Sequence, residues 1–156
     1  MKARAKILGH PVHPMLIVFP LGLLPCSVVC DVAHQLHRSG PWAILAFYMM
    51  GAGIVGGLVA GILGLIDWLS IPSGTRAKRV GSWHGMLNLA VILLFTCSWL
   101  LRHGNPTDVS FLATILAVVA LIIALFSAWF GAELVYRLSI GVDPAAHENA
   151  GNSLKE

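Results

Sequence analysis

Residues 42–70 read WAILAFYMMGAGIVGGLVAGILGLIDWLS, and this stretch decides the fold. It carries one charged side chain, Asp67. Crossing the hydrocarbon core of a bilayer takes about 20 largely apolar residues, and backbone groups in lipid must be paired within the segment itself. The stretch therefore reads as a membrane-crossing helix. Three more of the same kind give spans at about residues 12–37, 82–103 and 110–137. The separators, Arg38-Ser39-Gly40-Pro41, residues 71–81 and Gly104-Asn105-Pro106-Thr107-Asp108, hold the Gly, Pro, Ser and charge of turns.

Composition agrees. The 156 residues make one domain. Charged residues are 11% of the chain and mean hydropathy is +0.81, against about 25% charged in soluble domains. A water-soluble enzyme, a disordered regulator and a nucleic-acid-binding domain are excluded, because the few Lys and Arg form no basic stripe. Cys26, Cys30 and Cys97 sit in apolar runs and read as small buried hydrophobes, not disulfide partners. The basic start resembles a signal peptide. The apolar run after it is broken by His10 and His13 and lacks a cleavage pattern, so it reads as a retained span. The expected architecture is an all-α integral membrane four-helix bundle, with residues 138–156 as a polar cytoplasmic tail.

Lys and Arg set orientation. One end of the bundle collects Lys2, Arg4, Lys6, Arg76, Lys78, Arg79, Arg137 and Lys155; the other has Arg38 and Arg102. Both termini are therefore expected in the cytoplasm, in a plasma membrane, with anionic lipid the partner of residues 73–79.

Small residues line two helices. Gly53, Gly57, Gly61 and Gly64 share a face of the second span, and Ala113, Ala117, Ala120, Ala124, Ser127 and Gly131 a face of the fourth. Such faces let helices approach closely; a groove for a flat cofactor or a dimer face are the other readings. The halves also resemble one another. Each is a hairpin in which a His-led helix (His13, His84) precedes a small-residue helix ending in an acid and an aromatic (Asp67-Trp68; Glu133 and Tyr136). A twofold along the membrane normal would relate them and set His13 and His84 at similar depth.

The chemistry concentrates at that end. In Gly9-His10-Pro11-Val12-His13-Pro14, two His at i and i+3 share a face if the helix has begun, and Pro suits a first turn. His84 and Asn88 are one turn apart; Asn88 either orients an imidazole or joins helices. Asp67 is a candidate metal ligand, proton carrier or His partner, or else pairs with Arg76. Glu133 is explained more simply by Arg137 at i+4. At the other end, Asp31, His34, His37, Arg102 and His103 read as interfacial groups in contact with water, with a second haem site the alternative.

The His-Pro-x-His-Pro opening, Asp67-Trp68, Trp83-His84-Gly85 with Asn88, and Gly131-Ala132-Glu133 together resemble an uncharacterised bacterial family, domain of unknown function 2231. These are small four-helix inner-membrane proteins, and the likeness runs from about Ile7 to Val142. It implies redox company, since some relatives are fused to Rieske-type iron–sulfur or cytochrome-like domains, and it implies no activity or ligand.

The leading functional expectation is a small b-type haem electron carrier. His13 and His84 would be its axial ligands, His10 the substitute, with Asn88 and Trp68 beside the porphyrin and the glycine face making room for it. The alternative is a non-haem zinc, iron or copper site from His10, His13, His84, Asp67 and Glu133. The third is a structural or assembly subunit without a cofactor. A transporter of this size would need to form a homo-oligomer.

Overall fold

Leu8 and Gly9 take positive φ, 50° and 82°, the backbone that a two-residue hairpin turn requires. They fold the N-terminal segment into a short antiparallel pair, β1 (Lys6–Ile7) and β2 (His10–Pro11), with Lys6 opposite Pro11. The computed structural model describes residues 3–38 and 40–153. Its first span comes in two pieces, α1 (Val12–Leu16) and α2 (Val18–His37). Pro20 has no N–H for the Leu16 carbonyl and its ring crowds that turn, so the hydrogen-bond ladder is interrupted at Ile17, while the chain stays helical and bonded across it (Ile17 N–H to the His13 carbonyl, 3.1 Å; Leu21 N–H to the Ile17 carbonyl, 3.0 Å). The shared helical face expected for His10 and His13 is thereby corrected: His10 lies in β2, before the helix begins.

The remaining spans are α3 (Trp42–Leu69), α4 (Arg76–Leu100) and α5 (Phe111–Ala132), the last running into a π-helical turn at Glu133–Arg137. The third span starts at Arg76 rather than residue 82. Thr75 Oγ1 accepts the Lys78 N–H at 3.1 Å, an N-cap that carries the helix back through the basic run. Ser110 caps α5 in the same way through the Ala113 N–H, 3.2 Å. Four segments, Val12–His37, Trp42–Leu69, Arg76–Leu100 and Phe111–Arg137, are long and apolar enough to cross a membrane.

Packing follows the hairpins. The most extensive contacts are α2 on α3 and α4 on α5; α3 meets α4, and α2 meets α5, to close the bundle. Leu24, Val28, Met50, Ile54, Val91, Phe95, Ala117 and Ala120 form its centre. Large apolar side chains such as Leu58, Ile62, Leu93 and Phe126 point outward, as lipid-facing residues do. Two of the cysteines correct the expectation of burial: Cys26 and Cys97 are exposed on that outer surface, and Cys30 alone is buried.

Burial matches between the two hairpins at definite offsets. Buried residues of the first helices correspond at an offset of 71: Leu24 with Phe95, Ser27 with Ser98, Asp31 with Arg102. Those of the second helices correspond at 67: Ala46 with Ala113, Met50 with Ala117, and the buried Gly53 with Ala120. An internal twofold requires this pairing of interior positions.

Asp31 and Arg102 thus occupy equivalent places and meet. Arg102 donates from both Nη atoms to the two Asp31 oxygens, from Nη2 to Ser98 Oγ (2.7 Å) and from Nε to the Ser98 carbonyl (3.1 Å). Both side chains are wholly buried. This overturns the reading of these groups as interfacial and wet. Two unlike charges at symmetry-related interior positions satisfy each other where neither could stay alone. Arg102 also leaves the count of loop Lys and Arg, so among the described residues Arg38 is the one loop Lys or Arg at that end.

Candidate functional site

A carbonyl oxygen only accepts hydrogen bonds, so an imidazole nitrogen beside one must carry the proton. His13 Nδ1 donates to the Ala60 carbonyl at 2.8 Å and His84 Nδ1 to the Ser127 carbonyl at 2.9 Å. Each ring is thereby fixed in the tautomer that keeps the lone pair on Nε2. Four residues beyond each carbonyl stands a glycine, Gly64 or Gly131. A side chain beginning there would come within 3.0 Å of the ring Cε1 of His13 or His84, respectively. The same device of histidine, carbonyl and glycine appears in both hairpins, at the offsets set by the core: 13 to 84, 60 to 127, 64 to 131.

The hairpins differ at the second nitrogen. Asn88 Nδ2 donates to His84 Nε2 at 3.1 Å, and Ser127 Oγ donates to the His84 carbonyl at 3.2 Å. Four residues after His13 the chain has Ile17. Within the described residues, no hydrogen bond reaches His13 Nε2.

The other sequence candidates have partners of their own. Asp67 Oδ1 accepts the backbone N–H groups of Arg4 (2.8 Å) and Ala5 (3.2 Å), not the Arg76 side chain. Glu133 pairs with Arg76 at 2.6 Å, not with Arg137. The reason is shared: at each hairpin's end the acid ties down the segment that leads into the His-bearing helix, and the offset of 71 makes Arg76 the counterpart of Ala5. Trp68 is a clamp between α3 and α4. Its indole N–H donates to the Lys78 carbonyl (3.3 Å), and Lys78 Nζ sits 3.6 Å over the ring while donating to the Trp68 carbonyl (2.8 Å). His10 is exposed and hydrogen-bonds Ser153 through Nε2 at 3.0 Å, which docks the C-terminal segment on the β-hairpin. Among the described residues, no three of His, Cys, Asp and Glu gather where one metal ion could be held.

The glycine face of α3 is largely covered. Leu24 packs on Gly53, Ile92 on Gly57 and the His13 ring on Gly64, while Gly61 has open space before it. The expectation that this whole stripe leaves room for a porphyrin is corrected: its glycines admit protein side chains. At the opposite end, His103 is exposed and its ring lies tilted beside those of Trp99 and Phe47. His34 is 9% exposed, and its Nδ1 lacks a hydrogen-bond partner among the described residues.

Sequence reasoning did not find Ala60 and Ser127 as ring anchors, since a backbone carbonyl has no residue signature. The small-residue spacing that repeats with an offset of 67 was the available signal. A family model described as "Predicted membrane protein (DUF2231)" matches residues 9–144. No curated protein and no solved structure matches the chain.

Proposed function

The chain belongs to the DUF2231 family of predicted membrane proteins, and we propose that it is a small b-type haem protein that carries single electrons, with His13 and His84 as axial ligands. The observation that carries this reading is the paired tautomer. Histidines that bind metal commonly donate the far ring N–H to a backbone carbonyl, which orients the ring and raises its basicity. Both rings here do so, at equivalent places in two hairpins. A bare metal ion in a helical bundle draws on three or more protein ligands, and Asp67, Glu133 and His10 are engaged elsewhere. Haem brings four nitrogens of its own and asks the protein for two.

The group supplies a one-electron couple on iron when bound. The residues do the rest. The Ala60 and Ser127 carbonyls hold the rings, and Gly64 and Gly131 give them space. The end that carries the rings also carries Arg4, Lys6, Arg76, Lys78, Arg79 and Arg137, with Lys2 and Lys155 outside the described residues. By the positive-inside rule that end faces the cytoplasm of a bacterial inner membrane. A cytoplasmic or membrane-bound redox protein of the Rieske or cytochrome type is the partner this reading calls for.

The test is absorbance and haem stoichiometry of protein purified in detergent from haem-supplemented cells. The expected result is one haem per chain, with a Soret band and split bands on reduction, lost in His13→Ala and in His84→Ala. Protein that stays colourless and takes up no added haemin overturns the proposal. Stoichiometric zinc, iron or copper in such protein would favour the metal reading, and neither signal a cofactor-free subunit.

A further inference from the structure

We propose that the cavity between the N-terminal β-hairpin and the C-terminal segment binds a small zwitterion, a primary ammonium and a phosphate on a short linker. This is the headgroup chemistry of an ethanolamine phospholipid. The proposal uses neither His13 nor His84 and stands independently of the haem reading.

The cavity measures about 260 Å³, the volume of roughly nine waters, which suits a group of about that many heavy atoms. Lys6, Gly9 and His10 line one side, and Gly141, Asp143 and Ser153 the other. The sides are tied together by the hydrogen bond between Ser153 Oγ and His10 Nε2, 3.0 Å. Gly9 allows this approach, since a Cβ there would lie 3.0 Å from the Ser153 Cβ.

Charge decides the guest. The lining holds one ammonium, Lys6, and one carboxylate, Asp143. They share a cavity without pairing with each other, and the Lys6 side chain has no partner among the described residues. An anion alone would stand against Asp143, and a cation alone against Lys6. A guest carrying both charges in the reverse order satisfies both walls. Asp143 Oδ1 already accepts the Ala145 N–H at 3.0 Å. A carboxylate has about four acceptor sites, so it takes an ammonium and keeps its turn. The N–H groups matter, because a choline offers the carboxylate no donor. Position favours a lipid as the source: Pro11 lines the cavity, and the first span begins at the next residue, Val12.

The test uses the full chain in a maltoside detergent and follows cleavage after Glu148 by a glutamate-specific protease. Glu148 is exposed and lies between the two tail residues, Asp143 and Ser153, that line the cavity. Short-chain phosphatidylethanolamine is expected to slow this cut, while phosphatidylcholine and phosphatidylglycerol leave its rate unchanged. Free phosphoethanolamine separates the sources: protection by it shows that a soluble zwitterion suffices, and protection by the lipid alone assigns the site to a headgroup. Lys6→Gln and Asp143→Asn each raise the half-protecting concentration about tenfold, the factor set by one hydrogen bond. Asp143→Asn keeps an acceptor for the Ala145 N–H, and Lys6→Arg keeps the charge and the protection. Equal protection by all three lipids, protection by none, or both charge-removing variants behaving as wild type overturns the proposal. None of these results bears on the haem reading, whose absorbance test is separate.

Discussion

The first hairpin holds His13 by its Nδ1 on a backbone carbonyl and opens a space for the ring with a glycine; the second does the same for His84. The side chains around these devices have diverged. Asn88 answers Ile17, Arg102 answers Asp31, and a carboxylate on two backbone N–H groups (Asp67) answers one on a guanidinium (Glu133). What a duplication preserves is what the backbone enforces: spacing, ring anchors and close approach. What it frees is the side-chain partner, and here the freed positions hold the charge pair and the asymmetry at the rings.

The sharpest way to break this comparison is at the charge pair. Asp31→Ala leaves Arg102 buried without its carboxylate and is expected to cost about 3–5 kcal/mol, read as a loss in unfolding free energy in detergent. Exchanging the pair, Asp31→Arg with Arg102→Asp, should recover most of it. Ser27 precedes position 31 by four residues as Ser98 precedes position 102, so a guanidinium at 31 has the Ser27 hydroxyl where Arg102 has that of Ser98. If the exchanged protein is no more stable than Asp31→Ala, the two positions are not equivalent.

The glycines come next. Gly64→Ala and Gly131→Ala each place a methyl 3.0 Å from a ring carbon, too close to be absorbed without movement. Each is expected to cost about 1–3 kcal/mol from overpacking, partly offset by about 1 kcal/mol of helix propensity. Equal losses by thermal unfolding support matched sites; a loss at one and a gain at the other would separate them. Smallest are the acids at the hairpin ends. Asp67→Ala strips two backbone donors of their acceptor and is expected to cost about 1–2 kcal/mol. Glu133→Ala breaks a pair whose Arg76 side chain is 54% exposed, worth about 0–1 kcal/mol. The reverse order in denaturant unfolding would mean the second hairpin end is the more firmly tied.

Much of this architecture was legible before any coordinates. Four apolar stretches and their breakers fix four helices, because lipid leaves the backbone no other solution. His13 and His84 stood out by their placement at the helix starts. What stayed hidden was set by backbone and by three-dimensional neighbours. Pro20 interrupts the hydrogen-bond ladder of a span that its apolar pattern runs straight through, and Thr75 starts a helix in a run that reads as a loop. Arg102 looked like a loop charge because its partner, Asp31, lies 71 residues away. The glycine stripe packs closely, as its spacing predicts, but the sequence could not say that Leu24, Ile92 and His13 are what fill it in place of a flat cofactor.

The most direct test of the paired imidazoles is low-temperature electron paramagnetic resonance of the oxidised, haem-loaded protein. Bis-imidazole ligation predicts a low-spin ferric signal in wild type that becomes high-spin in both His13→Ala and His84→Ala. A low-spin signal that survives either substitution, or haem that binds with neither histidine as ligand, would contradict it.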